Sequence, residues 1–287
     1  MNPTGEAKGY AIARKTLINA LLAFETLPPE SFVLVGAHAV YLRAPESIGS
    51  IAPFTLDGDL AANPKKIGRA RTIRDRLEAV GFCLRGRTSG LYHLSGAPPD
   101  EQYASRVDIL VPEGVAHLWR ADGYDARDAS ATLVQPGLEL SLVDHSPMSI
   151  GPIDVDHDSR SVVVEVAGIL ALLVAKGWKI GERFEQGSDA FQEVGKDITD
   201  VYRLLRVSTV AELRATLRTV PADHNLQGIT RTGARYIRSL CSKDGSGIGV
   251  LREMLGKGAE VDLMVASLEA LAEEFYEIVE SSFAASR

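Results

Sequence analysis

The stretch Thr55-Leu56-Asp57-Gly58-Asp59-Leu60, TLDGDL, decides how this chain is read. Two carboxylates one residue apart between apolar residues are either metal ligands on a strand or an acidic turn bent at Gly58. On a strand, residues i and i+2 project to the same face. Asp57 and Asp59 would then present their carboxylates together, with Leu56 and Leu60 turned into the body. Gly58 has no side chain to pack and weakens a strand there. These six residues alone do not choose, so the choice falls to their surroundings.

Upstream, Ser31 to Val35 (SFVLV) predicts a short buried strand ended by Gly36, and Ala37 to Leu42 predicts a helix closed near Pro45. A strand, a small-residue turn at Gly36-Ala37 and a helix N-terminus can meet a triphosphate, because the backbone approaches closely and the dipole favours negative charge. His38 follows that turn and either contacts a ligand or packs. Phe54 to Leu60 reads as the second strand, and Pro64 opens a helix with the stripe Ile67, Ile73, Leu77 and Val80. Phe82 to Ser95 predicts a hairpin turning at Ser89-Gly90, and Ser105 to Val111 predicts a strand ended by Pro112. That strand is polar at Arg106 and Asp108 and apolar at Val107, Ile109 and Val111. Mg²⁺ prefers carboxylate oxygens, and a two-metal clamp recruits a further carboxylate from a neighbouring strand. Asp108 is the candidate for that third ligand, with a solvent-facing strand residue as the alternative.

Further strand-like segments lie at Leu138 to Val143 and Ser161 to Val166. Helical periodicity then covers 167–180, 189–206, 208–219, 226–242, 246–256 and 260–283. The expected fold class is therefore α+β, with a mixed-sheet domain over 1–150 followed by a mainly α-helical domain over 151–287.

The chain of 287 residues, 45% hydrophobic and 24% charged, has ordinary globular composition. A net charge of -7 neither requires nor forbids a nucleic-acid partner, since a basic cleft can sit on an acidic body. Cys83 and Cys241 share no motif, which suits a reducing compartment. The most apolar uncharged run, Val166 to Ala175, is much shorter than the ~20 residues of a membrane helix. The N-terminus carries no targeting pattern, so a cytoplasmic protein without a membrane partner is expected.

The order strand, Gly36-Ala37, helix, TLDGDL, helix, strand with Asp108 resembles the nucleotidyltransferase superfamily of the DNA polymerase β type. The segment ILALLVAKGWKIGERFEQGSDAFQEVGKDITDVYRLL adds Lys176 late in an apolar helix and Lys196-Asp197-x-x-Asp200 opening another. Together the two blocks are similar to the abortive-infection toxin nucleotidyltransferases, the AbiEii and MenT group of type IV toxin–antitoxin systems, over about residues 30 to 206. The resemblance implies a nucleotidyltransferase-like sheet domain and a helical domain completing the active-site cleft. It implies Mg²⁺-dependent transfer of a nucleoside monophosphate from a nucleoside triphosphate to an acceptor hydroxyl, with Mn²⁺ able to substitute. Asp57 and Asp59 would be the metal-binding catalytic pair, with Asp108 as a third ligand. Lys176 would neutralise phosphate charge, and Asp197 would orient it or deprotonate the acceptor. Gly36, Ala37, Thr55, Lys176 and Lys196 would lie along the nucleotide. An arginine commonly precedes the paired aspartates in that family, and Arg43 is the nearest one upstream here. The implied acceptor is a tRNA 3′ end, or a protein hydroxyl, and a toxin of this group implies a separate antitoxin protein. A small-molecule acceptor of the aminoglycoside type and a non-catalytic nucleotide-binding member remain as alternatives.

Three other charged motifs stand apart. Lys65, Lys66, Arg69, Arg71, Arg74 and Arg76 surround the apolar stripe of one helix, as a solvated face or as a track for an RNA backbone. Arg231, Arg235 and Arg238, with Lys243 beyond, pose the same choice. Asp154-Val155-Asp156-His157-Asp158 begins like a calcium loop but lacks its glycine and distal glutamate, and reads as a polar turn.

Overall fold

A computed structural model describes residues 3–45, 54–119, 124–153, 158–187, 191–256 and 258–284. The chain forms two compact units, Met1–Gln135 with His145–Ala167, and Pro136–Asp144 with Gly168–Arg287.

The first unit is a mixed, open sheet flanked by helices. In chain order it contains α1 (Pro3–Ala23), β1 (Phe32–Val35), α2 (Gly36–Arg43), β2 (Asp57–Ala62), α3 (Arg71–Ala79), β3 (Phe82–Leu84), β4 (Leu91–Leu94), β5 (Arg106–Pro112), α4 (Glu113–Ala116), α5 (Ala126–Ala131), β6 (Leu133–Gln135), β7 (His145–Ile150) and β8 (Val162–Ala167). The strand order is β3-β4-β5-β2-β1-β8-β7, with β6 also pairing β5. β1 runs antiparallel to β2 and parallel to β8, and β2 runs parallel to β5.

β1 is buried along its whole length, as its uninterrupted FVLV demands of a central strand. β5 instead alternates, with Val107, Ile109 and Val111 buried and Arg106, Asp108 and Leu110 half-buried. α1 packs on β2 and β5. Gly58 is where that packing is tightest, since a Cβ there would lie 2.9 Å from Leu17 Cδ1 and 3.0 Å from its Cβ. The glycine between the two aspartates thus admits a helix against the strand's other face. Gly58→Val is expected to cost about 1–3 kcal/mol through overpacking against Leu17, measurable by urea unfolding.

The second unit opens with a 3-10 turn at Glu139–Leu142 and continues through α6 (Ile169–Glu185), α7 (Phe191–Val207), α8 (Val210–Thr219), α9 (His224–Cys241), α10 (Ser246–Leu255) and α11 (Ala259–Ala284). Asp144 Oδ2 accepts from Ala171 N in the first turn of α6, placing a carboxylate where the helix dipole favours it. Glycines set the approach of α6 and α9: a Cβ on Gly177 would overlap the backbone carbonyl oxygen of Gly233. Among the described residues, no helix is long and apolar enough to cross a membrane.

Several expected boundaries move. Leu138 to Val143 is not a strand: Ser141 N and Oγ both return to Leu138 O, Leu140 is buried, and the segment belongs with the helices. The expected division at 150 is displaced for a related reason, because β8 adds in parallel to β1 and carries the sheet unit to Ala167. β2 begins at Asp57, so Phe54 to Leu56 precede the strand. The helix expected from Pro64 begins at Arg71, after a turn closed by Lys66 N and Ile67 N donating to Asn63 O.

Candidate metal centre

The parallel pairing of β2 with β5 sets Asp57 beside Arg106 and Asp59 beside Asp108. One ligand oxygen from each of Asp57, Asp59 and Asp108 lies within 4.8 Å of the others, and all three residues are half-buried. This is the chemistry of a hard-cation site: carboxylate oxygens only, and three negative charges whose mutual repulsion a divalent ion would relieve. Asp57, Asp59 and Asp108 are the residues that would hold Mg²⁺ or Mn²⁺.

The trio is held in place by its neighbours. Asp57 accepts from Thr55 Oγ1 at 2.8 Å on one oxygen and from Arg106 Nη2 at 2.8 Å on the other. Thr55 is itself fully buried, so it anchors the entry to β2. Arg106 is a site residue that the sequence reading passed over, although its polar position two residues before Asp108 was the available signal. Its charge reduces the formal charge of the four-residue group from three negatives to two, matching one divalent ion.

Gly36 ends β1 opposite Asp59, where Val35 pairs with that aspartate. It has φ of 66°, and a Cβ built on it would overlap Asp59 Oδ2. Glycine is therefore required twice, for a left-handed backbone and for the room the carboxylate occupies. Gly36→Ala should move the Asp59 carboxylate as well as strain the turn by about 1–2 kcal/mol. Divalent-ion binding by the variant, measured at a temperature where it remains folded, should be at least tenfold weaker. Ala37 follows in the first turn of α2.

Arg43 closes that helix and reaches across the sheet, its guanidinium donating to Ala167 O at 3.0 Å, Val166 O at 2.6 Å and Ser146 Oγ at 2.8 Å. Those contacts tie α2 to β7 and β8. His38 is buried, accepts at Nδ1 from Arg14 Nε at 3.1 Å, and stacks on Tyr10. It is a packed histidine.

In the second unit Lys176, Asp197 and Asp200 come together. Lys176 Nζ donates to Asp197 Oδ1 at 2.6 Å and Asp200 Oδ2 at 2.7 Å, and all three side chains are buried. Arg183 bridges Asp197 and Glu193, while Lys179 Nζ stands 3.9 Å from Asp197. Lys176, Lys179 and Arg183 share one face of α6, and Glu193, Asp197 and Asp200 share one face of α7, so the two helices form an antiparallel ladder of opposite charges. Burial alone would push the Asp197 carboxyl up, but Lys176, Lys179 and Arg183 outweigh it and hold it well below the usual range. Burial likewise opposes the Lys176 charge, and Asp197 and Asp200 overcome that and hold its pKa above the ordinary lysine value. Lys176 is thus committed to carboxylates, whereas the resemblance implied contact with phosphate. Lys196 lies beside Asp197 on α7 and half-buried.

The basic motifs are largely neutralised within the chain. Lys66 pairs with Glu30, Arg69 and Arg71 with Asp128, Arg74 with Glu78, and Arg76 donates to Ala23 O and Thr26 Oγ1. Arg238 pairs with Glu273, and Arg231 Nε lies 3.9 Å from Glu280. Buried Asp128 also caps α5 through a reciprocal box with Asp125. Burial raises the Asp128 carboxyl, yet hydrogen bonds from Arg71 and from the Asp125 backbone lower it to about 2. A folded-state value below the unfolded one stabilises above about pH 4 and is lost as pH falls towards about 2. Arg71→Met should therefore move the acid-unfolding midpoint to higher pH, read by circular dichroism.

Of the calcium-like run, residues 154–157 lie outside the described residues, and Asp158 pairs with Arg160 in a local turn. No protein-family model matches the chain, and no curated protein sequence matches it.

Proposed function

We propose that this protein is a nucleotidyltransferase that moves a nucleoside monophosphate from a nucleoside triphosphate to an acceptor hydroxyl. The observation that carries the proposal is the convergence of Asp57, Asp59 and Asp108 from two parallel strands, beside a glycine turn at the head of α2. The run β1, Gly36, α2, antiparallel β2 and parallel β5 also supports reading the sheet as nucleotidyltransferase-like.

In the proposed reaction the acceptor oxygen attacks the α-phosphorus and forms a new P–O bond. The bond from that phosphorus to the bridging oxygen of the β-phosphate breaks, and pyrophosphate leaves with the electron pair. The hydroxyl proton passes to a carboxylate of the trio. A bound Mg²⁺ or Mn²⁺ supplies Lewis-acid polarisation and charge neutralisation at the phosphates. Asp57, Asp59 and Asp108 would hold the ion, Thr55 and Arg106 fix Asp57, and the first-turn amides of α2 at Gly36 and Ala37 would receive phosphate oxygens.

A tRNA 3′ end is the first acceptor to test, in keeping with the resemblance to the toxin nucleotidyltransferases, and a cognate antitoxin belongs to that reading. The carboxylate pairing of Lys66, Arg69, Arg71, Arg74 and Arg238 favours a second acceptor class, a small molecule or a protein hydroxyl, because paired cations track a phosphate backbone weakly. The test incubates the protein with Mg²⁺, each α-labelled nucleoside triphosphate in turn, and total tRNA, cell protein or an aminoglycoside panel. Label on one acceptor with release of pyrophosphate is the expected result. No transfer from any of the four nucleotides to any acceptor overturns the proposal.

A further inference from the structure

Arg71, Arg127 and Arg183 each bridge two carboxylates: Asp125 with Asp128, Asp75 with Glu78, and Asp197 with Glu193. Arg106 has one. Its Nη2 donates to Asp57 Oδ2 at 2.8 Å, and among the described residues it pairs with no other carboxylate. Its Nε is buried and meets no acceptor among the described residues. On the side away from Asp57, its neighbour in the β4–β5 register is His93, an imidazole. A guanidinium carries five donors in a fixed fork, so Asp57 offsets only part of what Arg106 presents to the sheet face of the trio.

The one carboxylate it holds is a member of that trio. Asp57 Oδ1 accepts from Thr55 Oγ1, and Oδ2 accepts from Arg106. Thr55 is neutral and orients its oxygen with no net charge of its own. Arg106 is a cation, half-buried like Asp57, where charges are screened less than in open water. Toward a bare divalent ion it is a competitor, since it engages a ligand oxygen and repels the incoming charge. Toward a divalent ion carried on a triphosphate its effect reverses. That complex has a net negative charge, and its phosphate oxygens suit the unfilled guanidinium donors. One side chain therefore disfavours the first species and favours the second, which is how a site acquires specificity.

We propose that Arg106 is a specificity-determining residue that makes the trio select a divalent ion delivered with a triphosphate over the bare ion. The inference rests on the nucleotidyltransferase reading for the identity of the substrate, and it names the form taken up, the metal–triphosphate complex. Thr55 fixes Asp57 without contributing to the choice.

The experiment applies two probes to the full chain at one ionic strength. Bare Mn²⁺ is followed by electron paramagnetic resonance, and the exchange-inert chromium(III)–tripolyphosphate complex by isothermal titration calorimetry. Arg106→Gln is expected to bind bare Mn²⁺ at least tenfold more tightly than wild type and the complex at least tenfold more weakly. Arg106→Lys keeps the charge and should stay within about threefold of wild type for both probes. Arg106→Thr, whose β-branched side chain suits a strand, carries the same expectation where Arg106→Gln does not fold. Equal or weaker Mn²⁺ binding by a folded charge-removing variant overturns the inference and leaves Arg106 a positioning residue for Asp57. Unchanged binding of the complex overturns it as well. Thr55→Val removes a hydrogen bond to Asp57 and no charge; if it tightens Mn²⁺ as much as Arg106→Gln does, charge is not the cause and the inference falls. Failure of wild type to bind either probe removes the metal centre and this inference together. Opposite shifts for the two probes, in a protein that transfers nucleotide to no acceptor, would sink the reaction and leave the charge selection standing.

Discussion

Asp59→Asn is expected to reduce nucleotidyl transfer by about a thousandfold while leaving the protein at least as stable as wild type. Asp59 is paired with Asp108 in the β2–β5 register and presses against Gly36, so in the proposed site it would contribute a central ligand oxygen. Losing one carboxylate of three weakens the hold on the divalent ion, whose stabilisation of developing charge is worth several kcal/mol. About 4 kcal/mol corresponds to about a thousandfold in rate. Stability should move the other way, because an amide removes one of three mutually repelling charges. Single-turnover transfer and urea unfolding of the same preparation check both halves. A variant that loses activity only as it loses structure would make Asp59 a folding residue.

Lys176→Ala should be the most destabilising single change in the helical unit, by about 3–5 kcal/mol, because it leaves Asp197 and Asp200 as buried charges stripped of their shared partner. The ladder is insensitive to pH over a wide window. Asp197 has a lowered pKa, so its contribution is complete above about pH 4 and is lost only in stronger acid. Lys176 has a raised pKa, so its contribution is complete below about pH 10 and is lost only at higher pH. Between those limits the cost of Lys176→Ala should stay constant, as read by denaturant unfolding. The triple variant Lys176→Met, Asp197→Asn, Asp200→Asn removes the charges together and should recover at least half of the loss. A folded triple variant that retains transfer assigns Lys176 to the frame, and a folded but inactive one returns at least one of the three residues to the reaction.

How legible all this was in the sequence depends on how local each feature is. Period-two alternation in RVDILV and the unbroken FVLV gave two central strands, and the helical stretches from 167 onward match α6 to α11 to within a few residues. The pair Asp57 and Asp59 was legible because i, i+2 spacing is a local fact, whereas Asp108 joins it through the non-local pairing of β2 with β5. Gly36 and Gly58 were visible as glycines, but their reasons are non-local: one makes room for a carboxylate on the next strand, the other for Leu17 on a helix some forty residues earlier. The same holds for Leu138 to Val143, whose apolar pattern suits a strand and whose neighbours are helices. The arginines after Asn63 looked like a basic surface because their acidic partners, Asp125 and Asp128, lie more than fifty residues away.

The most direct measurement is a Mn²⁺ titration of the whole protein followed by electron paramagnetic resonance, run on wild type, Asp57→Asn, Asp59→Asn and Asp108→Asn with matched thermal stability. Saturable binding in wild type, weakened at least tenfold in each variant and competed by Mg²⁺, is the predicted result. Binding in wild type that is no stronger than in the three variants would contradict a metal centre on β2 and β5, and with it the proposed chemistry.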